Sequence, residues 1–377
     1  MSVLSKLTIV IFTYNRHPYV IRNLGLWSGS EVQVNVLDGS AEAISINRLN
    51  TFASNIHYHH LPLPIWERIS AGAALVHTEY VAFLPDDEFF IPSALEASIV
   101  ELDANPDLVS CSGRGIDKSL GADLIVPWAT IEHNEFNYKN GNSGAVEQLD
   151  PIVRMIAHMS SYVPSTFYGV SRSQPWIEVV LLLSQREFSS GVAPEIQFEL
   201  SMSFKGKVRI INELMWLRTA EEPSNSAGFE VEFHSWYLNP RYAAEVSDFL
   251  DITASGLAEK SELDLDVIRR GLEIACKAYV DYCHQHFSST LSDQRLLRGP
   301  NWLGRWLSTR TASTLKRSVK KLIGALPAPL LMALPARLRF RSYIEMAKGL
   351  ESAGLRVDWD QLTTILETVR KFHGTKT

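Results

Sequence analysis

The sequence predicts an α/β protein, a doubly wound sheet followed by an α-helical domain, and three observations predict it. Short apolar strands alternate with helical segments over roughly the first 90 residues. Polar clusters follow three of those strands directly. Beyond about residue 229 the strand pattern gives way to helical periodicity.

Residues 7–12 (LTIVIF) form an apolar run without alternation, as expected of a buried parallel strand, and the run stops at Thr13-Tyr14-Asn15-Arg16. A helix is expected over 18–27. Residues 32–37 (VQVNVL) read as a second strand ending at Asp38-Gly39-Ser40, and residues 56–61 as a third. A helix over 66–76 leads into a fourth strand, 80–84 (YVAFL), which meets Asp86-Asp87-Glu88. Loops at the carboxyl edge of such a sheet converge on a crevice, so clusters placed there mark a binding site. Residues 108–168 are mixed and include a polar loop over 132–144, read either as a lid or as a surface excursion. A helix over 195–204 and a strand over 207–211 follow. The charged, Pro-containing stretch 221–225 suggests a boundary, giving domains 1–222 and 223–377. Helices are expected in the second at 240–254, 264–286, 314–326, 341–353 and 358–372.

With 36 basic against 42 acidic residues, the net charge of −6 argues against a nucleic-acid partner. Three cysteines without C-x-x-C spacing suggest neither a zinc site nor a disulfide framework, and a reducing compartment fits them. No signal peptide opens the sequence, and no run reaches the roughly 18 apolar residues of a membrane span. The expected location is cytoplasmic, or peripheral at the inner face of the cytoplasmic membrane.

Adjacent carboxylates at a strand end repel one another unless a cation offsets them. Asp86, Asp87 and Glu88 are therefore candidate ligands for a divalent metal, Mn²⁺ or Mg²⁺, which would also bind phosphate oxygens. The alternative is an acidic turn capping the helix that begins near Pro92. His57, His59 and His60 alternate across a strand, so they make a poor three-ligand site and read as structural.

The segments 8–16 (TIVIFTYNR), 37–40 (LDGS) and 67–90 (ERISAGAALVHTEYVAFLPDDEFF) resemble the opening pattern of family-2-type glycosyltransferases. The likeness is good over the first 90 residues or so and weaker to about 220. It implies a GT-A, Rossmann-like domain that binds a nucleotide-sugar, with a UDP-sugar as the expected donor. It further implies that Thr13, Tyr14 and Arg16 line the nucleotide pocket and that Asp38 accepts a hydrogen bond from the base. Arg68 and Gly72 would lie on the helix beside the diphosphate, and Asp86 would contact both nucleotide and metal. Arg68 could equally be a surface residue and Asp38-Gly39 a plain tight turn. The sequence departs from the family at Pro85, where many members carry an Asp, and this leaves open which carboxylates act.

Inverting transfer needs a general base for the acceptor hydroxyl. In the family it opens a helix followed by a Gly-Lys turn and a strand, a layout matched by residues 192–208. That points to Glu195, with Glu199 second, although Ile196 replaces the expected second acid. Glu195 could instead be only a helix-start residue favoured by the dipole.

Residues 294–344 contain no acid but eleven Lys or Arg, from Arg295 to Arg341, interleaved with Trp302, Trp306 and the apolar run 322–334. Such a mixture suits an anionic membrane surface and a glycan or lipid-linked glycan acceptor, or else the basic solvated face of a helical domain. The expected activity is transfer of a sugar to a hydroxyl of a growing bacterial-type surface polysaccharide. Its rivals are a nucleotidyl- or sugar-phosphate transferase and a degenerate transferase-like scaffold subunit.

Overall fold

A computed structural model of the protein describes residues 2–118, 145–219, 231–297, 343–352 and 354–374. The polar loop at 132–144, the boundary at 221–225 and the helix at 314–326 lie outside the described residues, as does the basic stretch beyond 297. The fold is mixed α/β, an eight-stranded sheet with a helical C-terminal region.

Leu7–Thr13 (β1) is buried almost throughout because it runs through the middle of the sheet, parallel to Gln33–Asp38 (β2) on one side and Tyr80–Pro85 (β4) on the other. Ile56–His60 (β3) extends the parallel set beyond β2. On the far side come Phe89–Phe90 (β5), Leu108–Lys118 (β6), Val170–Arg172 (β7) and Lys207–Thr219 (β8), in the order β3-β2-β1-β4-β7-β6-β8-β5. β7 is antiparallel to both β4 and β6, and β5 is antiparallel to β8. The register Phe12↔Leu37 and Phe12↔Pro85 brings the polar segments after β1, β2 and β4 to one edge.

Alternation along β1 divides the packing between two layers. Leu7, Ile9 and Ile11 face His17–Trp27 (α1) and Pro92–Ala104 (α4), through Val20, Leu24, Leu95 and Ile99. Val10 faces the other way, with Val81 and Phe83, toward Ile65–Gly72 (α3), Ser173–Leu183 (α6) and Ala193–Lys205 (α7). The short helix Ile46–Leu49 (α2) bridges β2 and β3.

A third cluster joins α7 to Pro151–Ser160 (α5), Phe233–Leu238 (α8), Ala243–Ala258 (α9) and Leu265–Leu297 (α10). α7 is thus packed from two sides, with Phe198 and Met202 toward the sheet and Ile196, Leu200 and Phe204 toward the helices. Among the described residues, the helices after 222 divide between two of the core clusters. Tyr343–Ser352 (α11) and Trp359–Gly374 (α12) return to the first layer, where Tyr343, Ala347, Leu355, Leu362 and Ile365 join the core behind β1.

Four elements differ from the sequence reading. The strand expected over 207–211 continues to Thr219, because β5 and β6 both pair with its second half despite Asn212 and Glu213. β7 and α6 arise in a stretch the sequence left unassigned. The helix expected over 264–286 runs on to Leu297.

Candidate functional site

Two turns meet at the carboxyl edge. In the first, the backbone N–H of Gly39 donates to the Thr13 carbonyl at 3.0 Å, and the N–H of Asn15 donates to Ser40 Oγ at 2.7 Å. Asn15 takes a left-handed φ of 56°, a conformation Asn tolerates better than most residues. Asp38 is fully buried and braces the turn. It accepts from the Ser40 N–H at 2.8 Å and the Tyr58 hydroxyl at 2.6 Å, and it pairs with His17 Nε2 at 2.8 Å. Burial alone would raise its pKa, but Ser40, Tyr58 and His17 outweigh it and hold the carboxyl below its ordinary value.

Arg68 lies beneath this turn with only 2% of its surface exposed. A Cβ on Gly39 would fall 1.2 Å from Arg68 Nη1, so the glycine is what admits the guanidinium. Nη1 donates to the Leu63 carbonyl at 3.3 Å, while the buried Nε has no hydrogen-bond partner. Burial lowers the Arg68 pKa against the opposing charges of Asp38 and Tyr14. Tyr14 itself stands at the rim, 49% exposed. One turn further along α3, Gly72 packs on the sheet, where a Cβ would meet Leu37 Cδ1 at 2.4 Å.

The second turn carries Asp86, Asp87 and Glu88, all buried. Thr13 Oγ1 donates to Asp86 Oδ2 at 2.7 Å. Arg16, itself buried, sets Nη2 2.6 Å from Asp87 Oδ2 and Nε 3.4 Å from Asp86 Oδ1. Asn23 Nδ2 donates to the backbone carbonyls of Glu88 at 2.8 Å and Asp86 at 3.4 Å, and Arg22 donates to that of Asp87. Arg22 also lies against the rings of Phe372, Phe89 and Tyr19, at 4.7, 4.9 and 5.3 Å from their centroids. Burial, with the charge of Asp87 adding to it, pushes Asp86 up to about 7 despite Arg16, Thr13 and Arg22.

Glu88 turns toward β8. Its Oε2 accepts from Trp216 Nε1 at 2.6 Å, and Arg218 Nε lies 3.5 Å from its Oε1. The Trp216 ring stacks on Tyr168 with centroids 4.0 Å apart and planes 19° from parallel. The charge of Arg218 also acts, weakly, on Glu195 in the first turn of α7. Glu195 is partly exposed and accepts from the Tyr162 hydroxyl at 2.9 Å. Burial raises its pKa, the Tyr162 hydrogen bond opposes this, Glu199 adds to it and Arg218 opposes it.

Glu199, one helical turn on, is wholly buried. It accepts from Thr166 Oγ1 at 2.6 Å and from the backbone N–H groups of Phe167 at 2.9 Å and Thr166 at 3.3 Å, and pairs with His158 Nε2 at 2.7 Å. These contacts make it a clamp on the segment that carries Tyr168.

No family model matches this chain, and no curated protein does. Solved structures of TarS from S. aureus are similar to it at a low level. TarS 1-349 in complex with UDP-GlcNAc is 12% identical with a TM-score of 0.46, over 100% of this chain and 91% of that one. TarS 1-349 alone gives 11% and 0.45 over the same shares. TarS itself gives 12% and 0.41, over 98% of this chain and 55% of that one.

Among the residues singled out in the sequence, Thr13, Arg16, Asp86 and Asp87 come together in one network, and Tyr14, Asp38 and Arg68 in a second beside it. Glu88 pairs with Arg218, whose charge is also felt at Glu195. Gly72 touches Leu37 of the sheet. The histidines of β3 serve the scaffold, His57 pairing with Gln33 and His60 with the Ser40 carbonyl. Asn23, Arg22, Trp216, Arg218, Tyr162 and Tyr168 went unnoticed in the sequence. Only Trp216 and Arg218 left a trace, as an i, i+2 pair on one strand face, and that strand was read as ending before them.

A divalent ion of the Mg²⁺ kind demands near-octahedral oxygen ligands at about 2.0–2.1 Å. Here Asp86 is taken up by Thr13 and Arg16, Asp87 by Arg16, and both Glu88 oxygens by Trp216 and Arg218. Among the described residues no group of three His, Cys, Asp or Glu side chains is arranged to share an ion. The donor set does not fit the metal that the sequence led us to expect.

Proposed function

We propose that the protein is a GT-A-type glycosyltransferase that moves a sugar from a nucleotide-sugar, a UDP-sugar in the first instance, to a hydroxyl of a glycan or lipid-linked glycan. The observation that carries this reading is the position of Arg218, 3.5 Å from Glu88 of the acidic turn and with its charge felt at Glu195. That position supports a reading in which the donor site and a carboxylate suited to proton transfer lie near one another. The resemblance of the opening 90 residues to family-2-type glycosyltransferases points the same way.

In this reading the base lies against Tyr14, over the turn that Asp38 braces. The Arg68 guanidinium, with Nη1 directly beneath Gly39, puts a buried positive charge under an anion seated on that glycine. Glu195 Oε takes the proton of the acceptor hydroxyl, whose oxygen then attacks the anomeric carbon. The bond from that carbon to the diphosphate oxygen breaks, the electron pair leaves with the nucleoside diphosphate, and the configuration inverts. A pKa raised by burial makes Glu195 the stronger base for this task. The stacked Tyr168 and Trp216 rings offer a flat apolar wall for a sugar.

Assembly of a surface polysaccharide and association with a membrane face are the setting we propose. Among the described residues no helix is long and apolar enough to cross a membrane.

Calorimetric titration with UDP, and release of UDP from UDP-sugars supplied with glycan acceptors, test the reading. Glu195→Gln should bind UDP as the wild type does while its turnover falls by about 10²–10⁴. UDP binding with no turnover of any UDP-sugar would favour a transferase-like binding subunit, and absence of binding to any nucleotide would end the reading.

A further inference from the structure

Arg16 does at the acidic turn what the metal was expected to do. Its guanidinium reaches both adjacent carboxylates, with Nη2 2.6 Å from Asp87 and Nε 3.4 Å from Asp86, and it is 6% exposed. The ring of Tyr19 lies 4.5 Å beneath it and closes the remaining side. The third carboxylate does not point at the other two but across to Trp216 and Arg218. Asn23 and Arg22 hold the backbone carbonyls of the same turn, which fixes the direction in which each acid leaves the chain. To ligate an ion, Asp86 and Asp87 would have to give up a buried guanidinium, and Glu88 would have to break away from an indole N–H.

We infer that Arg16 is the resident cation of this turn, standing between Asp86 and Asp87 where a divalent ion would sit, so that the turn takes up neither Mn²⁺ nor Mg²⁺. The inference deepens the proposed function and rests on it only where nucleotide is concerned. A donor diphosphate would then meet fixed arginines, and its binding would not depend on added metal.

Two titrations on the full chain decide it. In the first, Mn²⁺ alone is followed by electron paramagnetic resonance, in which the signal of the hydrated ion is lost on binding. Wild type should leave the signal unchanged. Arg16→Gln exposes two adjacent carboxylates to each other and should bind Mn²⁺ at least ~10-fold more tightly than wild type, and Asp87→Asn added to it should abolish the gain. Wild-type binding of Mn²⁺ that disappears in Asp87→Asn would overturn the inference. So would an Arg16→Gln protein that keeps its circular dichroism spectrum and gains no Mn²⁺. If that variant does not fold, the wild-type titration decides alone.

In the second, UDP is titrated in the presence of EDTA and then of Mn²⁺. Affinities agreeing within about twofold support the inference, and a gain of ~10-fold or more with Mn²⁺ overturns it. If UDP binds in neither medium, the transferase reading fails while the Mn²⁺ titration still rules on Arg16.

Discussion

Gly39 and Arg68 form a lock between a loop and α3 that is sensitive to a single methyl group. Because a Cβ at residue 39 would overlap Arg68 Nη1, Gly39→Ala must push a buried guanidinium aside. Overpacking of this kind typically costs about 1–3 kcal/mol. The functional loss should be the larger signal, because the displaced arginine is the one assigned to the donor. We expect UDP affinity to fall ~10-fold by calorimetry, in line with the loss of a charged hydrogen bond, with only a modest drop in melting temperature. A collapse of the fold with no separate change in affinity would show that Arg68 is purely structural. At this scale the sequence was a partial guide. Thr13, Asp38, Arg68 and the three acids were legible because strand ends concentrate function. Their partners were not, since Asn23, Tyr162 and Trp216 are common residue types whose importance comes from contacts across 33 to 128 positions of chain.

Elements here are tied together by a few shared charges. Glu178 on α6 accepts from Lys205 Nζ on α7 and from Lys260 Nζ beyond α9, both at 2.6 Å, and from Gln174 at 2.9 Å. Burial would raise its pKa, but the three donors outweigh that and lower it to about 2. A carboxyl whose folded pKa lies below its unfolded value contributes stability above about pH 4.5, and the contribution drains away as pH falls toward 2. Glu178→Gln should therefore cost about 1–2 kcal/mol at pH 7, with part of the full shift screened because Lys260 is exposed. The deficit should shrink steadily between pH 4.5 and 2 in urea titrations. A deficit that stays constant with pH would mean that packing, not charge, accounts for it. The parallel strands could be read from the sequence because burial on both faces leaves continuous apolar runs. β7 could not, since three residues, Val170–Arg172, are too few to show a period. The far half of β8 was lost for another reason. Asn212 and Glu213 look like a strand end in isolation, and only pairing with β5 and β6 carries the strand past them.

Taken whole, the molecule is less divided than a boundary at 222 implied. The core behind β1 is completed by Tyr343, Ala347, Leu362 and Ile365 from the last two helices and Leu355 from the segment between them, and α7 depends on α9 and α10 to cover one side. A chain ending at residue 222 would leave both faces uncovered. It should aggregate or show the compact, loosely packed state that binds ANS, whereas cooperative unfolding of that fragment would show the sheet to be self-sufficient. What hid this from the sequence is that amphipathic helices such as Trp359–Gly374 declare an apolar face without declaring its partner. The ring of Phe372 against Arg22 adds a consequence in time. Domains form as they emerge during synthesis, at about 5–20 residues per second. Here the wall behind the acidic turn stays open until residue 372 has left the ribosome. Until then the nascent chain carries a half-built site that a chaperone has reason to shield.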